Sequence, residues 1–505
     1  MKPVMRLETV RRMPKPLATD FSKLWTALSI SLLGSEVTAL ALPLIAVRTL
    51  RVSAVEMGVL AGVGQAPFLL FSLPAGAWVD RLRRRPVLIA TDVGSAILLL
   101  SVPLAVLFGG PAYLQLCLVA FGIGTFTVVS EVAHYAYVPT LVPRRELTRF
   151  NSRLQVSHSA SAAGGPGLAG ILIQLLTAPF AVLADAVAFL CSAALLRAIR
   201  KSEPPVRVDG DATRMLQAVR QGLRFLLGHR LLRPVILFSI PTVFSESGLL
   251  ALYVLYATRH LHLSPLWIGL VFAAGGIGAI PGAVVAERAG SRFGVGPTII
   301  GGYALAGVAA FLVPLAGGPI AAVIAILALG KAFGGLTDTT ANVHQWTLRQ
   351  TATPDQLQGR VTASHRFTVY GAGAVGGVAA GALASAVGVR TTLFVFASGM
   401  VIAPLLALAS PLRNLREQPA DVDDEPTSGI EMAVADDRAF RRDQTGVGGR
   451  SGIHPELRSD SGEAARSEDE AVAQLADQAA DAGPKRRAVK RPEGDGAPVV
   501  EHRRG

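Results

Sequence analysis

Long apolar runs separated by short polar or Gly/Pro-containing breaks occupy most of the chain up to residue 411. A helix needs about 20 mostly apolar residues to cross a bilayer, and the runs have about this length. Six runs lie on each side of a polar stretch at 200–232, which predicts an all-α membrane protein with twelve transmembrane helices in two six-helix bundles. The runs fall at 24–47, 56–79, 86–108, 112–134, 155–178, 180–199, 233–257, 265–286, 295–316, 319–346, 363–386 and 390–411.

The basic residues test this number of spans, because cytoplasmic loops of membrane proteins are enriched in Lys and Arg. With both termini in the cytoplasm, the inner segments of residues 1–411 carry 28 Lys and Arg and the outer loops carry 4. A different number of spans would scramble this alternation. We therefore expect a multi-pass protein of the cell membrane, in contact with the lipid bilayer, with both termini cytoplasmic.

The polar segments divide the chain into five parts. Residues 1–23 form a basic cytoplasmic segment, 24–199 and 233–411 form the two bundles, 200–232 form a linker, and 412–505 form a tail. In the linker, apolar residues recur at helical spacing among arginines, which predicts an amphipathic helix on the inner leaflet. The tail is rich in charged residues, Gly, Ala and Pro, and we expect it to be disordered.

Composition excludes several classes of protein. With 51% hydrophobic and 17% charged residues, the chain is neither a soluble enzyme nor a disordered chain. Its net charge of +12 would suit a nucleic-acid partner, but the bases flank apolar runs without interleaved aromatics, so we expect none. The sequence shows no catalytic triad, metal-ligand cluster, P-loop or dinucleotide fingerprint, and we expect no enzymatic activity, metal or cofactor.

The two halves of the chain repeat one another. A Pro-led polar segment begins at Pro143 and again at Pro354, and each is followed by a run that contains closely spaced glycines. Secondary transporters are commonly built from such repeats, with the substrate site between them near the middle of the bilayer.

The loop after the second run resembles the G-x-x-x-D-R-x-G-R-R signature of the major facilitator superfamily, with Arg83 in place of the usual Gly. The resemblance implies a cytoplasmic charge lock that holds the outward-open state and breaks when the transporter turns inward. Simple positive-inside anchoring would explain the arginines but not the Gly and Asp. The matching residues are Gly76, Asp80, Arg81, Arg84 and Arg85, and Arg349 and Arg360 are expected to join the lock.

The fifth run resembles the G-P-x-x-G-G motif of proton-coupled exporters of that superfamily at Gly165, Pro166 and Gly170, although Ala169 replaces one Gly. A merely kinked and closely packed helix is the alternative. The sequence pattern at 142–151, together with patterns further along the chain, resembles that of the macrolide-efflux and siderophore-exporter permeases. These permeases are drug:proton antiporters. The similarity implies the major facilitator fold over most of residues 20–411.

Acidic side chains inside the spans are candidates for proton coupling, because ionisable groups in a bilayer are costly. The first candidates are Glu36 and Glu246, followed by Glu131 and Asp338. A carboxylate held away from water takes up a proton more readily, as a proton-for-drug exchanger requires. Structural pairing is the alternative for each acid, most of all for Asp338. Asp185 is expected near the outer surface and receives no coupling role.

Aromatic residues supply candidates for the wall of a substrate cavity, although aromatics at helical spacing also pack cores. We expect proton-coupled efflux of amphipathic small molecules, such as macrolide-like drugs or siderophores, by alternating access in a monomer. Its partners would be the substrate and protons. An importer or facilitator on the same fold and a membrane scaffold without transport are the alternatives. The wall candidates are Phe68, Phe71, Phe126, Tyr253 and Tyr256.

Overall fold

The computed structural model describes residues 15–419 except 73, 143–145, 202 and 204–212. The described residues belong to the compact unit Met1–Glu425, and the unit Pro426–Gly505 lies outside them. The regular elements of the described part are helices: α1 (Lys15–Leu44, continued by a π-helical turn Ile45–Thr49), α2 (Ala54–Phe71), α3 (Pro74–Asp80), α4 (Arg84–Leu107), α5 (Tyr113–Leu141), α6 (Leu147–Leu176), α7 (Ala178–Arg197), α8 (Thr213–Gly228), α9 (Leu232–Arg259), α10 (Pro265–Phe293), α11 (Val295–Ala310), α12 (Leu312–Leu315), α13 (Ile320–Thr351), α14 (Asp355–Val387) and α15 (Val389–Leu406).

Twelve helical segments in this part of the chain are long and apolar enough to cross a membrane, which confirms the predicted number. Several helices extend past the predicted runs: α5 ends at Leu141 rather than 134, and α10 ends at Phe293 rather than 286. The extra turns carry polar side chains, but backbone hydrogen bonding continues through them, so hydropathy ends these helices too early.

The second predicted run, 56–79, is divided into two helices. α2 ends at Phe71, and α3 begins at Pro74, whose missing N–H prevents it from continuing a helix. α3 contains Gly76 and Asp80 of the predicted lock, but the surroundings of these two residues lie outside the described part of the structure.

The helices pack as two sets, which we call the first set (α1–α7) and the second set (α9–α15). In the first set, α1 packs on α6 and α7, α4 on α5 and α7, and α2 on α5. In the second set, α9 packs on α14 and α15, α10 on α13, and α11 on α13 and α15. The sets meet mainly through α2 against α14 and α6 against α10.

Glycines allow the backbones to touch at both of these contacts. A methyl group on Gly58 of α2 would lie 2.5 Å from the carbonyl oxygen of Gly377 and 2.8 Å from the Cα of Gly381, both in α14. One on Gly170 of α6 would lie 2.8 Å from the carbonyl oxygen of Pro265 at the start of α10. Small residues at helix interfaces in membranes permit this close approach.

Both ends of the described chain contact the linker. The backbone N–H groups of Arg200 and Lys201 donate to the Asp20 carboxylate, and Leu415 packs in one cluster with Leu226 of α8. We call this side of the molecule the linker face. Lys23 Nζ donates to the carbonyl oxygen of Ala198, 2.6 Å away, just after α7. The backbone N–H of Val295 donates to the carbonyl oxygen of Arg416 over 3.2 Å. Most of the predicted tail, from residue 420 onward, and the beginning of the predicted N-terminal segment lie outside the described residues.

The helix predicted in the linker is present as α8, but it docks on protein. Leu226 is 1% exposed, and α8 packs against α14 and α9. A methyl group on Gly222 would collide with the carbonyl oxygen of Arg360 in α14. The face of α8 that carries Gly222 and Leu226 packs closely against helix α14. The expectation that α8 lies on the inner leaflet was therefore wrong for this face.

Candidate functional site

Glu36 lies near the middle of the span Thr19–Thr49, half-buried, against α6. A methyl group on Gly165 would lie 2.7 Å from Glu36 Cβ and 2.6 Å from its Cγ, so the acid occupies the space that the glycine leaves. The next residue, Pro166, presents its carbonyl oxygen to Gly269 of α10 in the second set. Glu36 therefore contacts the segment of α6 that joins the two helix sets.

Glu131 on α5 forms an ion pair with Arg366 on α14. Arg366 Nη1 donates to Glu131 Oε2 over 2.9 Å, and the side chains are 30% and 37% exposed. Glu131 is thus paired rather than isolated, and the pair joins the two sets. Arg366 lies inside the predicted run 363–386. As a basic residue it was counted only toward topology, so its pairing with Glu131 was not predicted.

Aromatic rings extend this contact. The ring of Phe68 on α2 stacks on Tyr370 of α14 with centroids 4.6 Å apart. A methyl group on Gly371 would lie 2.8 Å from Leu69 Cδ1. Phe68 therefore lies where the two sets meet, against Tyr370, which is one helical turn from Arg366 in α14.

Glu246 interacts electrostatically with Lys331 in the second set, and Asp338 follows Lys331 by seven residues in α13. Glu246, midway along α9, is exposed, yet it interacts electrostatically with Lys331 and Asp338 on α13, so it faces the space between these helices. The Lys331 ammonium lies 4.8 Å from the ring centroid of Tyr253 and 4.6 Å from that of Phe272. Lys331 and Phe272 were not predicted as site residues. Lys331 could have been, because a lysine inside a span is costly for the same reason as an acid there.

The other predicted wall residues pack elsewhere. Phe71 contacts the rings of Trp78 and Phe121, at 6.2 and 6.1 Å between centroids, within the first set. Phe126 packs against Gly94, and Tyr256, 3% exposed, stacks on a histidine near the end of α9. None of these ring contacts involves the four candidate acids, and the place of these three aromatics in the wall of a cavity stays a prediction.

The arginines of the predicted lock bind helix ends within the first set. Arg85 Nε donates to the carbonyl oxygen of Leu196 over 2.9 Å, and its Nη2 donates to that of Arg197, at the C-terminus of α7. The backbone N–H groups of Arg84 and Arg85 donate to the Glu203 carboxylate over 2.9 and 3.4 Å. The positive guanidinium of Arg85 thus lies at the C-terminus of α7, and the negative carboxylate of Glu203 lies at the N-terminus of α4. Each charge is opposite to the partial charge at that helix end, which is favourable.

Two further arginines of the predicted lock, Arg349 and Arg360, contact the second set and α8. Arg360 Nη1 donates to Oε1 of Gln221 in α8. Arg349, which is 6% exposed, lies with its guanidinium carbon 4.5 Å from the ring centroid of Trp346 in the same helix. These two side chains therefore hold the linker helix and the end of α13, while the ion pair that joins the sets uses Arg366.

Two further carboxylates lie buried between α1, α4 and α7. Asp185 is 0% and Asp92 is 6% exposed, and they interact electrostatically. Thr38 donates to Oδ2 of Asp185, while Asp185 Oδ1 and Asp92 Oδ2 are buried without a hydrogen-bond partner among the described residues. Three helices enclose Asp185, and its expected position near the outer surface of the membrane stays a prediction. Asp92 was missed, although it lies inside the run 86–108.

A family model described as Major Facilitator Superfamily matches residues 24–377. The multidrug efflux pump Tap of Mycolicibacterium fortuitum is 28% identical over 397 residues, which is 76% of this chain and 93% of Tap. The enterobactin exporter EntS of Citrobacter koseri is 25% identical over 437 residues, which is 84% of this chain and 98% of EntS. These similarities confirm the resemblance to exporters that the sequence motifs indicated.

Solved structures show the same fold. A bacterial homologue of the iron transporter ferroportin in the inward-facing state superposes with a TM-score of 0.61 at 16% identity, covering 79% of this chain and 99% of that one. A bacterial homolog of the human lysosomal transporter Spinster gives a TM-score of 0.61 at 15% identity, covering 81% of this chain and 100% of that one. The predicted twelve-helix fold is confirmed.

Proposed function

The chain belongs to the Major Facilitator Superfamily of transporters, and from this premise we propose that it exports amphipathic small molecules in exchange for protons. The observation that carries the proposal is the contact of Glu36 with Gly165, because it places a membrane-embedded acid directly on the α6 segment that contacts α10. The proposed location is the cell membrane, with both termini in the cytoplasm and the linker face inside.

The relatives support export over import. Tap is a multidrug efflux pump and EntS is an enterobactin exporter, and both match this chain over nearly their whole length. Substrates of this kind combine apolar surface with polar groups, which suits a space bordered by aromatic rings and acids.

In the proposed cycle, the two helix sets alternate between two arrangements about a shared central space. Opening toward the cytoplasm separates Glu131 from Arg366 and Phe68 from Tyr370. Opening toward the outside separates the glycine contacts of α2 with α14 and of α6 with α10. Substrate enters from inside, and protons that arrive from outside bind the acids and favour its release.

Glu36 is the acid best placed to link protonation to movement. A charged carboxylate holds water around it, whereas a neutral one packs more readily against apolar surface. Because Glu36 fills the space beside Gly165, a change in its charge acts on α6 next to Pro166, whose carbonyl oxygen contacts α10. Glu246, beside Lys331, is the corresponding acid of the second set, and Glu131 and Asp338 are further coupling candidates.

The test uses the full chain in proteoliposomes, with a labelled macrolide or dye measured with and without an imposed pH gradient. We expect the gradient to drive transport by the wild type, and Glu36→Gln and Glu246→Gln to lose this stimulation while still exchanging substrate without a gradient. Glu417→Gln, an exposed carboxylate beyond the last helix, is the matched control and should behave as the wild type. Unchanged gradient-driven transport in both variants would refute the coupling.

A further inference from the structure

The surroundings of Lys331 have the chemistry of a binding site for an organic cation. Its ammonium faces Tyr253 and Phe272, whose rings meet edge to face with centroids 5.0 Å apart. Glu246 interacts electrostatically with Lys331 and with Asp338, which lies two helical turns after Lys331 in α13. Aromatic faces backed by carboxylates are the groups by which proteins recognise ammonium ligands.

Lys331 occupies this site without closing it by an ion pair. Lys331 forms no ion pair shorter than 4 Å with the described residues, unlike Lys23, Arg149 and Arg366. The aromatic rings are therefore the closest partners of its ammonium, and the two carboxylates keep acceptor capacity for another cation. The flexible four-carbon stem of a lysine lets its ammonium withdraw while the backbone stays in place.

We propose that Lys331 is an internal occupant of a cation site formed by Tyr253, Phe272, Glu246 and Asp338, and that an amphipathic organic cation displaces it on binding. The inference rests on the proposed function for its place in the transport cycle, and it narrows the substrate to molecules that carry an ammonium or a similar cation. In the absence of substrate, the lysine supplies the positive charge that the two acids and the rings attract.

An anion-binding role for Lys331 fits the geometry less well. An anion that approached the ammonium would enter the space on which Glu246 and Asp338 act and would be repelled by both. The ring faces around Lys331 also carry partial negative charge and repel anions.

The test measures binding of tetraphenylphosphonium, an aromatic cation, to the purified full chain in lipid nanodiscs. Lys331→Met removes the competing charge and keeps the length of the side chain, so it should bind the probe about tenfold more tightly or better. Lys331→Gln should show the same direction of change, and Lys331→Arg, which keeps the competing charge, should bind the probe no more tightly than the wild type. Phe272→Leu combined with Lys331→Met should lose the gain.

Two outcomes would overturn the proposal: binding of the probe by Lys331→Met and Lys331→Gln that is no tighter than in the wild type, or binding of an aromatic sulfonate by the wild type that Lys331→Met loses. The assay needs no pH gradient, so it is separable from the proposed function. Tighter binding without gradient-driven transport would refute proton coupling alone, and gradient-driven transport without tighter binding would refute the role of Lys331 alone.

Discussion

The carboxylate of Glu131 and the guanidinium of Arg366 form an ion pair across the boundary between the two helix sets, over 2.9 Å. The two residues are 235 positions apart in the chain. Because each belongs to a different set, any relative movement of the sets at this point must break the pair.

Neutralising either residue should shift the population toward molecules that are open at the linker face. An ion pair as exposed as this one contributes about 0–1 kcal/mol, so a shift of up to about fivefold is expected. The measurement is labelling of Leu69→Cys by an impermeant maleimide, in a background that lacks Cys117 and Cys191. Glu131→Gln and Arg366→Gln should each label faster. The exchanged pair Glu131→Arg with Arg366→Glu should return toward the wild-type rate, and labelling as fast as in the single variants would contradict the pairing.

Gly165 should tolerate no side chain, because the Cβ and Cγ of Glu36 already occupy the space. Gly165→Ala should slow transport and lower the free energy of unfolding by about 1–3 kcal/mol, the usual cost of overpacking. Gly164→Ala is the matched control, since nothing lies within 4 Å of a methyl group there. Equal transport by the two variants in proteoliposomes would show that Glu36 does not pack on α6 as described.

Asp185 should matter for stability through its bond with Thr38. Asp185→Ala removes the acceptor of the Thr38 hydroxyl in a buried site and should lower the free energy of unfolding by about 1–3 kcal/mol. Asp185→Asn keeps an oxygen acceptor and should cost less. Thermal unfolding in detergent gives the comparison, with Cys191→Ala, an exposed position on the same helix, as control. An unchanged unfolding temperature in Asp185→Ala would argue against the buried contact.

The docking of α8 should depend on Gly222. A methyl group at this position would meet the carbonyl oxygen of Arg360 and the hydroxyl of Ser364, whereas nothing lies within 4 Å of one at Gly228. Gly222→Ala should therefore loosen α8 and speed proteolysis in the linker, and Gly228→Ala should not. If both variants are cleaved as slowly as the wild type, α8 does not rely on this contact.

His229 should make stability depend on pH at the start of α9. Its Nδ1 accepts from the backbone N–H groups of Leu231 and Leu232, at 3.2 and 3.3 Å, and burial lowers the pKa of His229. The neutral ring is the one that accepts, so its contribution is complete above about pH 6.5 and is lost as the pH falls toward the lowered pKa. His229→Asn keeps an acceptor that does not titrate. Its unfolding temperature should fall less than that of the wild type on acidification, whereas the exposed control His262→Asn should follow the wild type.

The number of spans could be predicted because the thickness of a bilayer sets the length of every apolar run. The ends of the helices could not, since the last turns of α5 and α10 carry polar residues that remain helical. The break at Ser72 between α2 and α3 was missed for a different reason: Pro74 falls within a run whose hydropathy stays high.

The candidate site could be predicted by residue type but not by partner. Glu36 and Glu246 stand out as acids inside apolar runs. Their contacts with Gly165 and Lys331 come from helices far away in the chain, and the alternation of apolar and polar positions carries no information on such pairs. Arg366 was missed because a basic residue near a span was counted for topology, whereas Lys331 lies inside a span and could have been found by the rule that indicated the acids.

The contact of Gly58 with Gly377 and Gly381 has a consequence for kinetics. Two backbones lie against each other there without a side chain between them, so this contact parts without a rotamer change. The Glu131–Arg366 ion pair and the Phe68–Tyr370 ring stack must instead come apart and be rehydrated. Separating the ion pair and the stack is therefore expected to add more to the activation barrier for turnover than separating the glycine contact.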